Sequence, residues 1–472
     1  MRISASLSGF QLQLLQQLDF LNTAATTRAF RLATGKNVNT PHDDPAAFAQ
    51  TSSLEQQSNI VGHTLAQVQS ASGVVSQAQL AADEIRTQLT TIRDALLTDE
   101  AQALTADDRA AKQAEIDLAI DEINDLAGTE VNGRRLLDGS ADYRLQGLNH
   151  SQVRKLDVFS SRGATQTISG SVTQAAGQAS LTYTGAGGQI TDDASFTLTG
   201  RLGTETVGVS ATDTLAAAAD VINLASHGTG VVATVNGDDL MFTSVTYGSN
   251  ANVAIEIQSG TFAVTGGNGD GTADSVDALA DINGRSLTGD GNRFNTNDNG
   301  FRFAIEFEGG FTGTFDTVTT DDSDVLKFTL STDLGDISKL SVANLRAARL
   351  GGLSGRIDQL ASGGTLAGLN TNTSQAVRVV DEALSQLTLA EASVDSFADV
   401  TIATSESLLD GLQANLEDTL TSINAVNKDL ETLKVVQNKT LSANTLAALS
   451  LLNQQQASTP ALVYQLAGWS EW

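Results

Sequence analysis

Between Arg31 and Ala47 the chain reads RLATGKNVNTPHDDPAA, which closes one helix, turns, and opens another. Gly35 stands where a C′ residue belongs, because a residue without a Cβ enters the left-handed conformation that ends a helix. Asp44 is placed as an N-cap after Asp43, and Pro45 takes the first helical position, where the missing amide hydrogen costs nothing. Gly35, Asp43, Asp44 and Pro45 are therefore the expected interhelix turn. Upstream, Ile3, Leu7, Phe10, Leu14 and Leu21 step along the sequence as a heptad seam does, and Leu18 widens it.

Downstream, only Pro41, Pro45 and Pro460 are prolines, so nothing between Ala46 and Thr459 meets the strongest helix breaker. Leu54, Val61, Leu65, Val68 and Val75, then Ile85, Leu89, Ile92 and Leu96, keep heptad-like steps with one slip between the runs. They predict a helix about 75 Å long. Thr105 with Asp108 resembles a capping box opening a third helix, whose inner face is Ile116, Ile120, Ile123 and Leu126. Asn132 and Gly133 end it in a turn.

From about Asp157 to Leu350, Gly, Thr, Ser and Asp punctuate short alternating runs, as in strands and hairpins. The clearest run is Phe301, Phe303, Ile305 and Phe307, with Arg302, Glu306 and Glu308 opposite. One helix interrupts this region, from Asp213 or Thr214 to about Ala225. Helical periodicity resumes after Thr371 with Val380, Leu384, Leu387 and Val394, and continues through Leu409, Leu412, Leu416, Ile423, Val426, Leu430 and Leu433. The predicted fold class is α+β: long paired N- and C-terminal helices form a coiled-coil-like stalk, with an inserted β-rich outer region.

Composition narrows the function. The 472 residues carry 55 acidic against 27 basic side chains, a formal net charge of -28, which repels nucleic-acid phosphates. Such charge opposes casual association, so a protein that assembles needs strong specific contacts, and salt should help. The chain contains no Cys, which removes disulfides, thiolate nucleophiles and iron-sulfur clusters. The apolar stretch after Met1, Arg2, Ile3 and Ser4 is broken by Gln11, Gln13, Gln16 and Gln17, unlike a signal-peptide core. Thr440 to Ser470 carries no charge, but Asn444, Asn453, Gln454, Gln455 and Gln456 interrupt it, so membrane insertion is not expected.

No catalytic constellation emerges, and neither an enzyme nor a cofactor is expected. His42, His63, His150 and His227 are scattered, without a metal-binding or nucleophile motif. Asn295, Asn297, Asn299, Gly300 and Glu306 fall on calcium-loop spacing, but neutral Asn ligands between strand-like flanks read as a polar hairpin turn. The charge-poor terminal helices favour apolar and amide contacts on several faces. On them Ile3, Leu7, Phe10, Leu14, Leu21, Leu441, Leu449 and Leu452 are the expected assembly interface.

These residues also carry a family resemblance. RLATGKNVNTPHDDPAA, LTADDRAAKQAEI and VNGRRLLDGS, Val131 to Ser140, resemble flagellin's helix, turn and entry to the outer domains. Thr214 to Ile255 is similar to the repeat named for its I-N pair, here Ile222 and Asn223. NKTLSANTLAALSLLNQQ, Asn438 to Gln455, resembles the helix that lines the filament's inner tube. The sequence departs from the pattern at NKDLE, Asn427 to Glu431, and runs past the usual leucine-rich end to Trp472. MRIS with TPHDDPAA also resembles the hook-filament junction protein of the same family.

The resemblance implies an extracellular flagellar subunit, exported without a cleaved signal peptide and assembling with copies of itself. The expected partners are the hook-associated proteins and a type III export chaperone; filament and junction readings both stand. It divides the chain into residues 1–44, an inner-tube helix and turn; 45–140, a coiled-coil arm; 141–364, a surface-exposed β-rich insertion of one or two subdomains; 365–430, the returning arm; and 431–472, the second inner-tube helix.

Overall fold

The computed structural model describes residues 9–467, apart from residues 102–103, 132, 162, 164, 334, 368 and 370–372; its side-chain description covers neither 99–101 nor 456–467. Ile3, Leu7 and Asn132 lie outside the described residues. The helices are α1 Gly9–Thr34, α2 Pro45–Ala101, α3 Ala106–Ala127, α4 Leu215–Leu224, α5 Ser226–Thr229, α6 Thr373–Ser396, α7 Ala403–Asn424 and α8 Lys428–Ala467. A π-helical turn, Phe397–Ile402, joins α6 to α7. Strands occupy the chain between Glu130 and Leu340, so the architecture is α+β with helical ends around a β-rich middle. Two compact units divide it: one joins the chain up to Ala66 with the chain from Glu406 on, and the other is Gln67–Ser405.

Helix α2 has 57 residues, about 85 Å. It exceeds the 75 Å read from the sequence because helical bonding continues past Leu96. Val61, Val68, Val75, Ala82, Leu89 and Leu96 are buried at every seventh position, alternating with buried Thr64, Ala71, Ala78, Ile85 and Ile92. The slip expected between Val75 and Ile85 is absent. Alanines fill that interval, and their small side chains let the partner approach closely without adding to an apolar pattern.

In the larger unit α2 runs antiparallel to α6. The Arg86 guanidinium pairs with Glu391, Arg93 Nε lies 2.8 Å from Asp381 and Gln79 donates to Asp395 at 2.6 Å. Partly exposed pairs of this kind contribute at most about 1 kcal/mol each, so the apolar seam carries the packing. Helix α3 begins in the predicted capping box: the Thr105 hydroxyl accepts from the Asp108 amide, and the Asp108 carboxylate accepts from Thr105. Ile116, Ile120 and Ile123 are buried and Leu126 is half-buried.

The β-rich part consists of two modules, one nested inside the other. The outer module has a five-stranded sheet ordered Arg285–Thr288, Leu279–Ile282, Thr165–Gln174, Gly313–Asp321, Arg144–Gln146, and a three-stranded sheet ordered Arg293–Asp298, Phe301–Phe307, Val153–Ser160. Phe294, Phe303, Phe307 and Phe315 fill its core. Asn299 and Gly300, at φ 49° and 87°, make the two-residue turn between Asp298 and Phe301. Positive φ at both central residues is the type I′ geometry that matches strand twist, so the calcium-like spacing is spent on a hairpin.

The chain leaves the outer module after Gln174, builds the inner one, and returns at Leu279 to pair with the strand it left. Gly177 N donates to Val276 O at 3.0 Å and closes the neck. Two four-stranded sheets of the inner module share a core with α4 that contains Tyr183, Phe196, Phe242 and Phe262. Helix α4 is capped by Thr214, whose hydroxyl accepts from the Ala217 amide. Ile222 is buried, and the next residue, Asn223, donates to Ala233 O at 3.0 Å and accepts from Ala233 N at 2.8 Å. This residue pair thereby fastens the helix to strand Val231–Asn236.

Asp142 lies where the chain enters the outer module. Burial pushes its carboxyl up to about 6, against opposing hydrogen bonds from the Ser341 hydroxyl and the Tyr143 amide. A raised carboxyl pKa means that the folded state holds the proton more tightly. The associated stability is complete below the ordinary 3.8 and is lost as pH rises through about 6. Asp142→Asn is expected to raise stability near neutral pH by about 3 kcal/mol and to leave it unchanged in acid, measured by thermal unfolding at both ends of that window. A mutant whose gain is the same at both ends would contradict this assignment.

Candidate assembly interface

In the smaller unit α1 and α8 lie antiparallel. Gln11 Nε2 donates to Asn453 Oδ1 at 3.0 Å, Ser442 Oγ donates to Asn22 Oδ1 at 3.0 Å, and Arg28 Nη1 reaches both Glu431 oxygens at 3.1 and 2.9 Å. Residue numbers rise along one helix as they fall along the other. Leu21, Thr445 and Leu449 are buried between these polar contacts. Glu431 is buried too, and Arg28 supplies its compensating charge; removing either partner would leave the other charge poorly solvated.

The turn after α1 is sewn to the break between α7 and α8. Gly35 has φ 69°, and its amide donates to Arg31 O at 2.9 Å. Asn37 N donates to Asn424 O at 2.7 Å, Val38 N to Asn424 Oδ1 at 2.6 Å, and Val426 N to Gly35 O at 3.3 Å. Val426 therefore lies in the break rather than in a helical seam. Asn427 restarts the helix by accepting from the Leu430 amide at 3.0 Å. The Asp43 carboxylate accepts from the amides of Asn39 and Thr40, which with the Thr40 hydroxyl and Arg31 hold it below the ordinary carboxylate range. Asp44 caps α2 ahead of Pro45 by accepting from the amides of Ala46 and Ala47, both at 3.0 Å.

The pair leaves much apolar surface uncovered. Phe10 is 58% exposed, Phe20 71%, Leu441 49% and Leu451 62%, and Leu12, Phe30, Leu433 and Leu446 are exposed as well. Leu14 and Leu452 are half-buried, whereas Leu21 and Leu449 face the partner helix. The only charges on α1 are Asp19, Arg28 and Arg31, and α8 has none after Lys439. Helices that are apolar around most of their circumference ordinarily pack on several sides. Sequence reading missed Gln11, Arg28, Asn424 and Glu431, polar residues whose partners lie several hundred positions away.

Among the described residues no three His, Cys, Asp or Glu side chains gather as a metal site, and no described helix is long and apolar enough to cross a membrane.

Residues 7–142 match the bacterial flagellin N-terminal helical region, and residues 195–246 match the flagellin hook IN motif. Both matches are to regions of the flagellin family. The chain is 25% identical over 182 residues to a flagellin of Clostridium tyrobutyricum, covering 36% of this chain and 48% of that one. It is 24% identical over 240 residues to flagellin A of Helicobacter pylori, covering 49% and 45%. The chain spans about half the length of these curated relatives. Among solved structures, the D1-D2-D3 domains of the flagellar cap protein FliD from Escherichia coli match at 18% identity with a TM-score of 0.30, covering 52% of this chain and 66% of that chain. The IN-motif match falls on α4, α5 and the strands around them, including the Ile222 and Asn223 pair.

Proposed function

We propose that this chain is a structural subunit that adds to copies of itself as a helical polymer, the bacterial flagellar filament. The observation that carries this reading is the uncovered apolar surface of the α1 and α8 pair, with no charge on α8 after Lys439, on a chain of net charge -28. Partners of like chemistry are needed to cover it, and a second copy supplies them. In this reading residues 1–44 and 431–472 line the inner tube, 45–140 and 365–430 form the arms, and 141–364 face outward. The role is structural rather than enzymatic. The place is the extracellular flagellum, and the partners are hook-associated proteins and a type III export chaperone. The resemblance of MRIS and TPHDDPAA favours a second reading, the hook-filament junction protein, on the same surface.

Electron microscopy of the purified chain, brought to high salt with preformed seeds, separates the two. A filament subunit presents a heterologous surface that repeats without closing, so long tubes are the expected result. Growth that halts at a single ring under every salt and seed condition would replace the filament reading with the junction reading.

A further inference from the structure

The two arms of the chain do not share one apolar repeat. On α2 the buried positions recur every seven residues from Val61 to Leu96 without interruption. On the returning arm Val380, Leu387 and Val394 keep that spacing, and so do Ile402, Leu409 and Leu416, but Val394 and Ile402 are eight apart. The additional residue falls within the π-helical turn Phe397–Ile402. Both Phe397 and Ile402 are buried, five residues apart, which is the repeat of π rather than α hydrogen bonding. The Phe397 ring also rests on Phe328 of the hairpin formed by Leu326–Thr329 and Ile337–Leu340, at 5.7 Å between centroids.

An added residue in an α-helix turns everything beyond it by about 100°. Without a correction, Ile402, Leu409 and Leu416 would rotate out of the seam and be replaced by Thr401, Leu408 and Asn415. Instead Leu408 is 71% exposed and Leu409 is buried. The wide turn has absorbed the rotation, and Val400, 63% exposed, sits on its outer side.

We infer that the Phe397–Ile402 turn is a register device that takes up the one residue by which the returning arm exceeds α2's repeat, keeping α6 and α7 in phase with that repeat. The test removes single residues from the full-length chain and follows thermal unfolding by far-ultraviolet circular dichroism. Deleting Val400 should convert the turn to ordinary α-helix with the seam intact, shifting the melting temperature by less than about 3 °C. Deleting Gly411, which is exposed and has no atom near its would-be Cβ, puts Leu416 and Ile423 out of phase and should lower it by about 10 °C or more. A double variant, with Val400 deleted and one alanine inserted after Ala392, restores the length and moves the wide turn back along α6; it should melt near wild type. Val400→Ala controls for the lost side chain. The inference is overturned if deleting Val400 is as damaging as deleting Gly411, if deleting Gly411 is harmless, or if the double variant collapses.

Discussion

Leu449→Asp is expected to abolish polymer growth and to free α8 from α1. Leu449 is 7% exposed, one turn from Asn453, whose carboxamide is bonded to Gln11. Deleting such a leucine costs about 2–5 kcal/mol, and a carboxylate left unpaired in its place adds a desolvation penalty of about the same order. Among the described residues of α1 and α8 no cation lies ready to offset it. Lys439 is the last charged residue of α8, while Arg28 and Arg31 on α1 are engaged with Glu431 and Asp43. Along α8, Glu431 stands about 27 Å from position 449.

The β-rich modules do not depend on this contact, because their cores draw on residues between Tyr143 and Val325. Far-ultraviolet circular dichroism of the mutant should therefore show lost helix with retained strand, and sedimentation after seeding should find no pelletable polymer. Leu449→Met preserves volume and apolarity, costs less than about 1.5 kcal/mol, and should still assemble. Normal polymer yield from Leu449→Asp would show that the α1 and α8 seam is not the surface on which growth depends.

Local signals were the ones legible in the sequence. Thr105 with Asp108, and Thr214 before an Ala-rich run, state their helix starts within four residues, and the structure has both caps. The Phe301 to Phe307 alternation likewise gives a strand whose odd-numbered residues are buried. Burial of alanine was not legible, because a period search weights large apolar side chains; Ala71, Ala78 and Ala82 are seam residues that such a search passes over. The break at Ala425–Asn427 was hidden for the opposite reason. Leu416, Ile423 and Leu430 keep seven-residue spacing straight through it, although Leu430 is 45% exposed.

Long-range partnerships were also out of reach. Asn424 meets Val38, and Gln11 meets Asn453, through polar groups that look solvated in sequence. The nesting of one β module in the other depends on Thr165–Gln174 pairing with Leu279–Ile282 across the whole inner module, which no local pattern encodes.

That nesting leads to the second large effect, expected from Phe262→Ala. The Phe262 ring is fully buried, stacked on Tyr183 at 4.1 Å and Phe196 at 4.5 Å, with Phe242 edge-on at 6.0 Å. Truncation to alanine costs about 3–5 kcal/mol through lost transfer energy and the cavity left among three rings that cannot all collapse into it. A module of this size has a total stability of only about 5–15 kcal/mol, so the loss is a large fraction of it. Its consequences should stay inside the neck. Leu279–Ile282 is held by Arg285–Thr288 on one side and Thr165–Gln174 on the other, so the outer module keeps its own ladder when the inner one loosens. Limited proteolysis of the mutant should therefore cut between Gly177 and Val276 while the helical arms and the outer module survive. If the middle of the chain is dispensable for polymerisation, the same mutant should still form tubes under the conditions used for wild type. Protection of the inner module equal to wild type would refute the packing argument, and intact modules with lost assembly would show that this aromatic core reaches the polymer contacts.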